Sequence, residues 1–481
     1  MTLMELRRSL VLASTFLFFI FVMANTSILY GQSSADSLRA ASRRSMKRAA
    51  TFFRTNVASH GGYVYHHSLD LTRRWGEGEA TRDQIWVQPP GTPTVGLAYL
   101  RAHVATDDMF YLDAAREAAE ALVYGQVRSG GWTNCIDFNP RGKRVSQYRN
   151  GKGRGRNTSS FDDGQTATAL RFLIRTDKAL GFKNQSIHKA ALFALDAVLR
   201  IQFPNGAFPQ VWDDVANPKP KPLRASFPDY DWRTERRIKN YWDMYTINDN
   251  VPGTITETLI AAHDVYGDEK YMIAIERLGD FLILSQMPDP QPAWAQQYNY
   301  DMKPIWARKF EPPGVCGDES QEVIDTLMRI ASITGNRKYL KPIPRALAYL
   351  KRSRLPNGQL ARYYELRSNK PLYMRRRGKD YSLTYDDSNL PGHYGWKTDS
   401  RLDELTSRFN SLGGRGGSIS PSSQQIRQII SQLDTHGRWV STYNGEPLVG
   451  QLKLPSKTKY LASAVFADNL EQLADYLITR K

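Results

Sequence analysis

Apolar residues recur at i, i+3, i+4 and i+7 along most of the chain, the spacing of amphipathic helices. Four times a helical stretch, a short connection and a second helical stretch follow one another, most of them closed by a Gly-Gly or Asn-Gly turn. The copies are PTVGLAYLRAHVATDDMFYLDAAREAAEALVYGQVRSGGW (93–132); TATALRFLIRTDKALG with HKAALFALDAVLRIQFPNGAF, ending at Phe208; TITETLIAAHDVYGDEKYMIAIERLGDFLILSQ, followed by PAW at 292–294; and QEVIDTLMRIASITGNRKYLKPIPRALAYLKRSRLPNGQL, ending at Leu360. Half-copies flank them, SMKRAATFFRTNVASHGGY before and SSQQIRQIISQLDTHGRW after. A unit of about 65–85 residues is longer than the usual solenoid repeat and suits paired helices. The pattern predicts an all-α fold: an α/α toroid, or barrel, built from repeated helix pairs with long rim loops, and no β-rich segment. It divides the chain into residues 25–89, an N-terminal helical region; 90–400, the toroid; and 401–481, a C-terminal helical extension.

In such a toroid the loops before equivalent helices open at the same end. Those loops are VQPPGTP, SSFDDGQ, YTINDNVPG and GVCGDES. Asp162, Asp163, Asn248, Asp249, Asp318 and Glu319 are therefore expected near one mouth, although Asp and Asn are also ordinary helix caps. The paired acids are unexpected in a chain whose 65 Lys and Arg against 48 Asp and Glu leave a net charge of +17. That balance favours an acidic partner: nucleic acid, an anionic membrane or an acidic polysaccharide.

The N-terminus chooses among these. Arg7 and Arg8 precede the uncharged run LVLASTFLFFIFVMA (10–24), and Val22-Met23-Ala24 offers a small-residue cleavage site. Residues 1–24 read as a secretory signal peptide, with an uncleaved anchor as the alternative. A secreted or periplasmic protein, membrane-anchored if the signal stays, has no access to nucleic acid. A monomer is expected. Cys135 and Cys316 are too few for a disulfide framework and read as separate buried thiols, one bridge remaining possible. Three further stretches read as loops: the basic, Gly-rich 139–157, a Pro-rich aromatic insertion at 216–242, and SLGGRGGSISPSS at 411–423.

PAWAQQYNYDMKPIWARKFEPPGVCGDES (292–320), with FPNGAFPQVW (203–212), YTINDN (245–250) and ARYYELRSNKPLY (361–373), resembles polysaccharide lyase family ten, the pectic acid (pectate) lyases. The resemblance spans roughly residues 90–400. It implies a mostly helical α/α barrel, cleavage of polygalacturonate by β-elimination with Ca²⁺, and a 4,5-unsaturated product end. Carried over, the metal-binding acids are Asp162, Asp163 and Asp249, and the substrate-binding arginine is Arg308.

Chemistry supports these assignments independently. The C5 proton of a uronate is weakly acidic while the adjacent carboxylate is negative, and a hard cation held by oxygen ligands neutralises that charge. Arg308 can fork onto a sugar carboxylate, or pair with Glu311. Trp306, Trp294 and Phe208 are candidates for a sugar-stacking surface, with plain core aromatics as the other reading. The sequence departs from the family at the proton-abstracting arginine: where a segment like ERRxGYxW is expected it has DDSNLPGHYGW (386–396). His393 and Lys397 are the substitutes within that segment, and Arg375-Arg376-Arg377 lies nearby. Two other functions stay open: an inverting glycoside hydrolase, and a non-catalytic polysaccharide-binding relative lacking the base.

Overall fold

The computed structural model describes residues 36–213, 222–235, 238–412 and 421–479. Residues 1–24, read above as a signal peptide, and the middle of the 411–423 linker lie outside the described residues, as do residues 216–221 and 236–237 of the 216–242 insertion.

Helix α1 (36–52) runs into a π-helical turn, Phe53–Val57. The four predicted pairs follow: α2 (Thr92–Thr106) with α3 (Met109–Gly125), and α4 (Gln165–Ala179) with α5 (Gln185–Ile201). After the short α6 (Trp232–Glu235) come α7 (Val251–Tyr266) with α8 (Lys270–Leu284), and α9 (Gly317–Thr334) with α10 (Ile343–Arg352). Three more helices follow, α11 (Leu402–Asn410), α12 (Ser423–Ser431) and α13 (Ser463–Ile478). The first helices of the pairs pack in a row, α13–α2–α4–α7–α9, and the second helices form a layer beside it. Close approach within the row depends on small residues: a Cβ on Gly96 of α2 would lie 2.2 Å from the Phe172 ring of α4.

A repeated polar device sets the step from one pair to the next. Past the second helix of three pairs stands a glutamine whose amide donates twice, once into its own turn and once into the next second helix. Gln126 donates to Gly130 O and Ala190 O at 3.0 and 2.9 Å, and Gln202 to Gly206 O and Ala274 O at 3.0 and 2.9 Å. Gln286 donates to Pro292 O and Pro342 O, both at 2.9 Å. Each glutamine amide is paired in this way, where a buried unpaired donor would cost about 1–3 kcal/mol.

The all-α expectation is corrected: the helices dominate, but short antiparallel strands close every pair. The strand before each first helix pairs with one after the second: Gln84–Trp86 with Cys135–Asp137, Ser159–Ser160 with Val211–Trp212, Tyr245–Thr246 with Gln297–Tyr298, and Val315–Cys316 with Tyr363–Tyr364. A further sheet joins the two ends of the chain, where His66 pairs with Ala462 and Val440 with Leu461. Most of these strands have only two to four residues, too short for an alternating pattern to stand out from the helical periodicity around them. Both cysteines are free and buried. No helix among the described residues is long and apolar enough to cross a membrane.

Candidate active site

The loops ahead of α4 and α7 are built alike. Each ends in a tight turn, Asp162–Gly164 and Asn248–Asn250, whose middle residue is left-handed: Asp163 at φ 45°, ψ 32° and Asp249 at φ 52°, ψ 35°. Left-handed aspartates are uncommon and strained, and such residues cluster at functional sites. The turns set Gly164 and Asn250, not the acids, at the helix caps, and neither helix start receives a side-chain cap. Capping belongs to other residues, Asp108 at α3 and Asn184 at α5. The acids ahead of α4 and α7 are therefore free of the capping role.

They converge. The Gln210 amide donates to Asp162 Oδ1 at 2.6 Å and to Asp249 Oδ2 at 3.3 Å, so acids from two different pairs share one nitrogen. Asn248 donates to Asp249 Oδ2 at 2.6 Å. On the other flank Gln88 donates to Asp163 Oδ2 at 2.8 Å and to Glu77 Oε1 at 3.3 Å. Burial, then the Asp162 charge and Glu77, push the Asp163 carboxyl up to about 6. Burial and then Asp162 hold Asp249 well above the ordinary carboxylate range. Cations act on the cluster only from a distance, each being bonded to an acid elsewhere.

Arg362 is one of these cations. Its guanidinium is buried, donates to Glu319 Oε1 at 2.8 Å and to Asn248 Oδ1 at 3.4 Å, and stands 3.6 Å from Asp318 Oδ2. It lies over the Tyr394 ring at 4.8 Å. Arg308 follows: it bonds Glu311 Oε1 at 2.6 Å, and the Tyr394 hydroxyl donates to the same oxygen at 3.0 Å. The Arg308 side chain is 40% accessible, whereas Glu311 is buried.

His393 stands beside Arg308 and Arg376. Its Nε2 is 3.0 Å from the Tyr381 hydroxyl, and burial, with Arg376 and Arg308, lowers its pKa. Lys397 is engaged by Asp387 at 2.7 Å, and none of its contacts among the described residues reaches the acid cluster. The aromatic expectation is corrected. Phe208 and Trp294 are 1% and 0% exposed, and Trp306 is 4% exposed. Trp294 donates to Leu282 O at 2.8 Å just as Trp132 donates to Leu122 O two pairs earlier, and Trp306 donates to Trp232 O at 2.6 Å. These rings hold the repeats together and have no free face for a sugar.

Sequence reading missed Gln88, Glu77, Gln210 and Arg362. Only Arg362 left a signal, as a lone cation among the buried strand residues Leu360, Ala361, Tyr363 and Tyr364.

Residues 126–357 match the pectic acid lyase family model. The matched segment is a little under half of the chain. It contains Asp162, Asp163, Asp249, Gln210 and Arg308, while Glu77, Gln88, Arg362 and His393 lie outside it. Among solved structures, a family 10 polysaccharide lyase from Cellvibrio cellulosa, in a variant bound to trigalacturonic acid, is 20% identical, with a TM-score of 0.48, covering 67% of this chain and 98% of that one. The cellobiose 2-epimerase of Spirochaeta thermophila is 14% identical with a TM-score of 0.50, covering 93% of this chain and 98% of that one, a likeness of fold alone. No curated protein sequence matches. The pectic acid lyase match supports a polysaccharide lyase.

Proposed function

We propose that this chain is an exported pectate lyase that cleaves polygalacturonate by β-elimination, with Ca²⁺ held by Asp162, Asp163 and Asp249 at the mouth of an α/α toroid. The observation that carries the reading is the meeting of Asp162 and Asp249, from separate helix pairs, on one Gln210 amide.

The donor set suits a hard cation: it is all oxygen, and burial, then the Asp162 charge, raises the carboxyls of Asp163 and Asp249. Among the described residues no three His, Cys, Asp or Glu side chains are spaced to enclose an ion by themselves. Water and substrate would therefore complete the shell. When bound, Ca²⁺ offsets the negative charge of the substrate carboxylate and so eases loss of the neighbouring C5 proton.

The chain's own residues do the rest. Arg308, partly accessible, forks onto a second carboxylate and fixes register, while Glu311 and Tyr394 hold it in place. The proton acceptor is the Tyr381–His393 pair. The C5 proton passes to the Tyr381 oxygen as the hydroxyl proton passes to His393 Nε2, the C4–O4 bond breaks with its electron pair going to O4, which takes a proton from water, and a C4–C5 double bond remains. A lowered pKa keeps the imidazole neutral and able to accept near neutral pH. Tyr381→Phe is expected to lower kcat by about 10²–10⁴-fold while leaving KM nearly unchanged, since the ring stays and only the proton path is lost. An unchanged kcat would exclude the pair.

The decisive assay follows ultraviolet absorbance of the unsaturated product from polygalacturonate, with Ca²⁺ and with chelator. A rise that chelator abolishes is expected, and full turnover in metal-stripped protein would overturn the reading. Protons compete with the cation for raised carboxyls, so Ca²⁺ should raise Tm less as pH falls through about 6, where Asp163 protonates. In metal-free protein the sign reverses: a raised carboxyl stabilises the fold below its unfolded pKa, and that contribution is lost as pH rises through about 6.

An inverting hydrolase is disfavoured at this pair. Asp162 and Asp249 both lie within 3.3 Å of one nitrogen, closer together than the roughly 6.5–9.5 Å that such catalysis needs.

A further inference from the structure

The contacts of the site run in a fixed order. From Asp163 they pass through Gln88 to Glu77; from Asp249 they pass through Asn248 to Arg362, then Tyr394 and Arg308. Glu77 and Asp163 mark one flank, and Arg362 and Arg308, each paired with a carboxylate, mark the other. Beyond the acidic flank lies a cavity of about 630 Å³, with Glu77, Gln88 and Asp163 on one side and Val449, Gly450 and Gln451 on the other. That volume is in the ordinary range for a small-ligand site, about 300–1,000 Å³.

The far side is a built wall, contributed by the C-terminal region outside the lyase-matching segment. His66 Nε2 lies 3.2 Å from Val449 O, and Gln451 N donates to Leu448 O at 2.9 Å. Gly450 is left-handed at φ 75° and sits so close to the N-terminal strands that a Cβ would come within 2.4 Å of Gly76 O. Only glycine fits that approach. The buried Tyr65 hydroxyl has no hydrogen-bond partner among the described residues, and the charges of Glu77 and Asp163 act on it.

We infer that this cavity is a terminal subsite: it receives the end residue of a glycan chain, and the 449–451 wall stops the chain from running through. The inference rests on the lyase reading. The subsite's carboxylates and the Gln451 amide are suited to sugar hydroxyls, which donate to Glu77 and Asp163 and accept from Gln451, while both hydrogens of the Gln88 amide hold the two acids. A carboxylate there would meet like charge, so the end residue is gripped by its hydroxyls while uronate groups lie toward Arg362 and Arg308. Scission then falls a fixed, short distance from one chain end.

Polygalacturonate viscosity, product absorbance and product size, followed together, test this. Wild-type protein should raise absorbance with little early loss of viscosity and release one dominant product length from the start. Replacing residues 448–452 with a two-glycine link should open the end and bring an early fall in viscosity at equal absorbance. If that variant does not fold, Val449→Trp fills the cavity yet keeps the backbone carbonyl at His66. It should raise KM for a uronate trimer about tenfold, equivalent to ~1.4 kcal/mol, and unchanged KM and product length would overturn the inference. Absorbance rising with immediate viscosity collapse and mixed products would also overturn it, leaving the lyase intact. No absorbance from any uronate polymer would refute the lyase reading, and the subsite with it.

Discussion

Asp249→Asn is expected to abolish most Ca²⁺-dependent turnover and, at the same time, to stabilise the metal-free protein. The loss should be about 10²–10⁴-fold in kcat/KM, because a cation that offsets substrate charge supplies several kcal/mol in the transition state. The gain follows from the same geometry. Burial and the Asp162 charge hold the Asp249 carboxyl well above its ordinary range, so ionising it costs the fold free energy. Asparagine removes that charge, tolerates the left-handed backbone at φ 52°, and keeps a polar group beside Gln210 and Asn248. A residue that merely stabilised its helix would behave oppositely. Turnover and the metal-free Tm, measured on one preparation, separate the cases: lower Tm together with unchanged turnover would remove Asp249 from the site.

Arg362→Met should be the most destabilising single change at the site. The guanidinium is buried and bonds Glu319, which is 1% exposed. Removing it leaves that carboxylate without its cation, a loss of about 3–5 kcal/mol in comparable buried pairs. Glu319 Oε2 already has no partner among the described residues, so nothing nearby replaces the lost contact. Adding Glu319→Gln removes the stranded charge and should recover much of the stability, though not the activity, because Arg362 also reaches Asn248 beside Asp249. Denaturant midpoints of the single and double variants give the coupling directly. Additive losses would mean that Arg362 and Glu319 do not act as a pair.

Much of this molecule was legible in the chain. Helical periodicity recurring four times set out the helix pairs, because burying one face of a helix demands that spacing wherever the helix packs. The same repetition put Asp162 and Asp249 in equivalent loops, and equivalent loops of stacked pairs open on one side. The strands stayed hidden because a pairing of two residues leaves no pattern in sequence. Trp294, Trp306 and Phe208 look alike as core and as sugar platform; packing alone decided that their faces are closed. Gln210, Gln88 and Arg362 act through distant contacts, which composition cannot encode. The sequence by itself determined which residues recur and hence which loops face together. Only the tertiary structure decided which nitrogen bridges the two acids, which cation backs them and where the C-terminal wall closes the cleft, since each joins segments far apart along the chain.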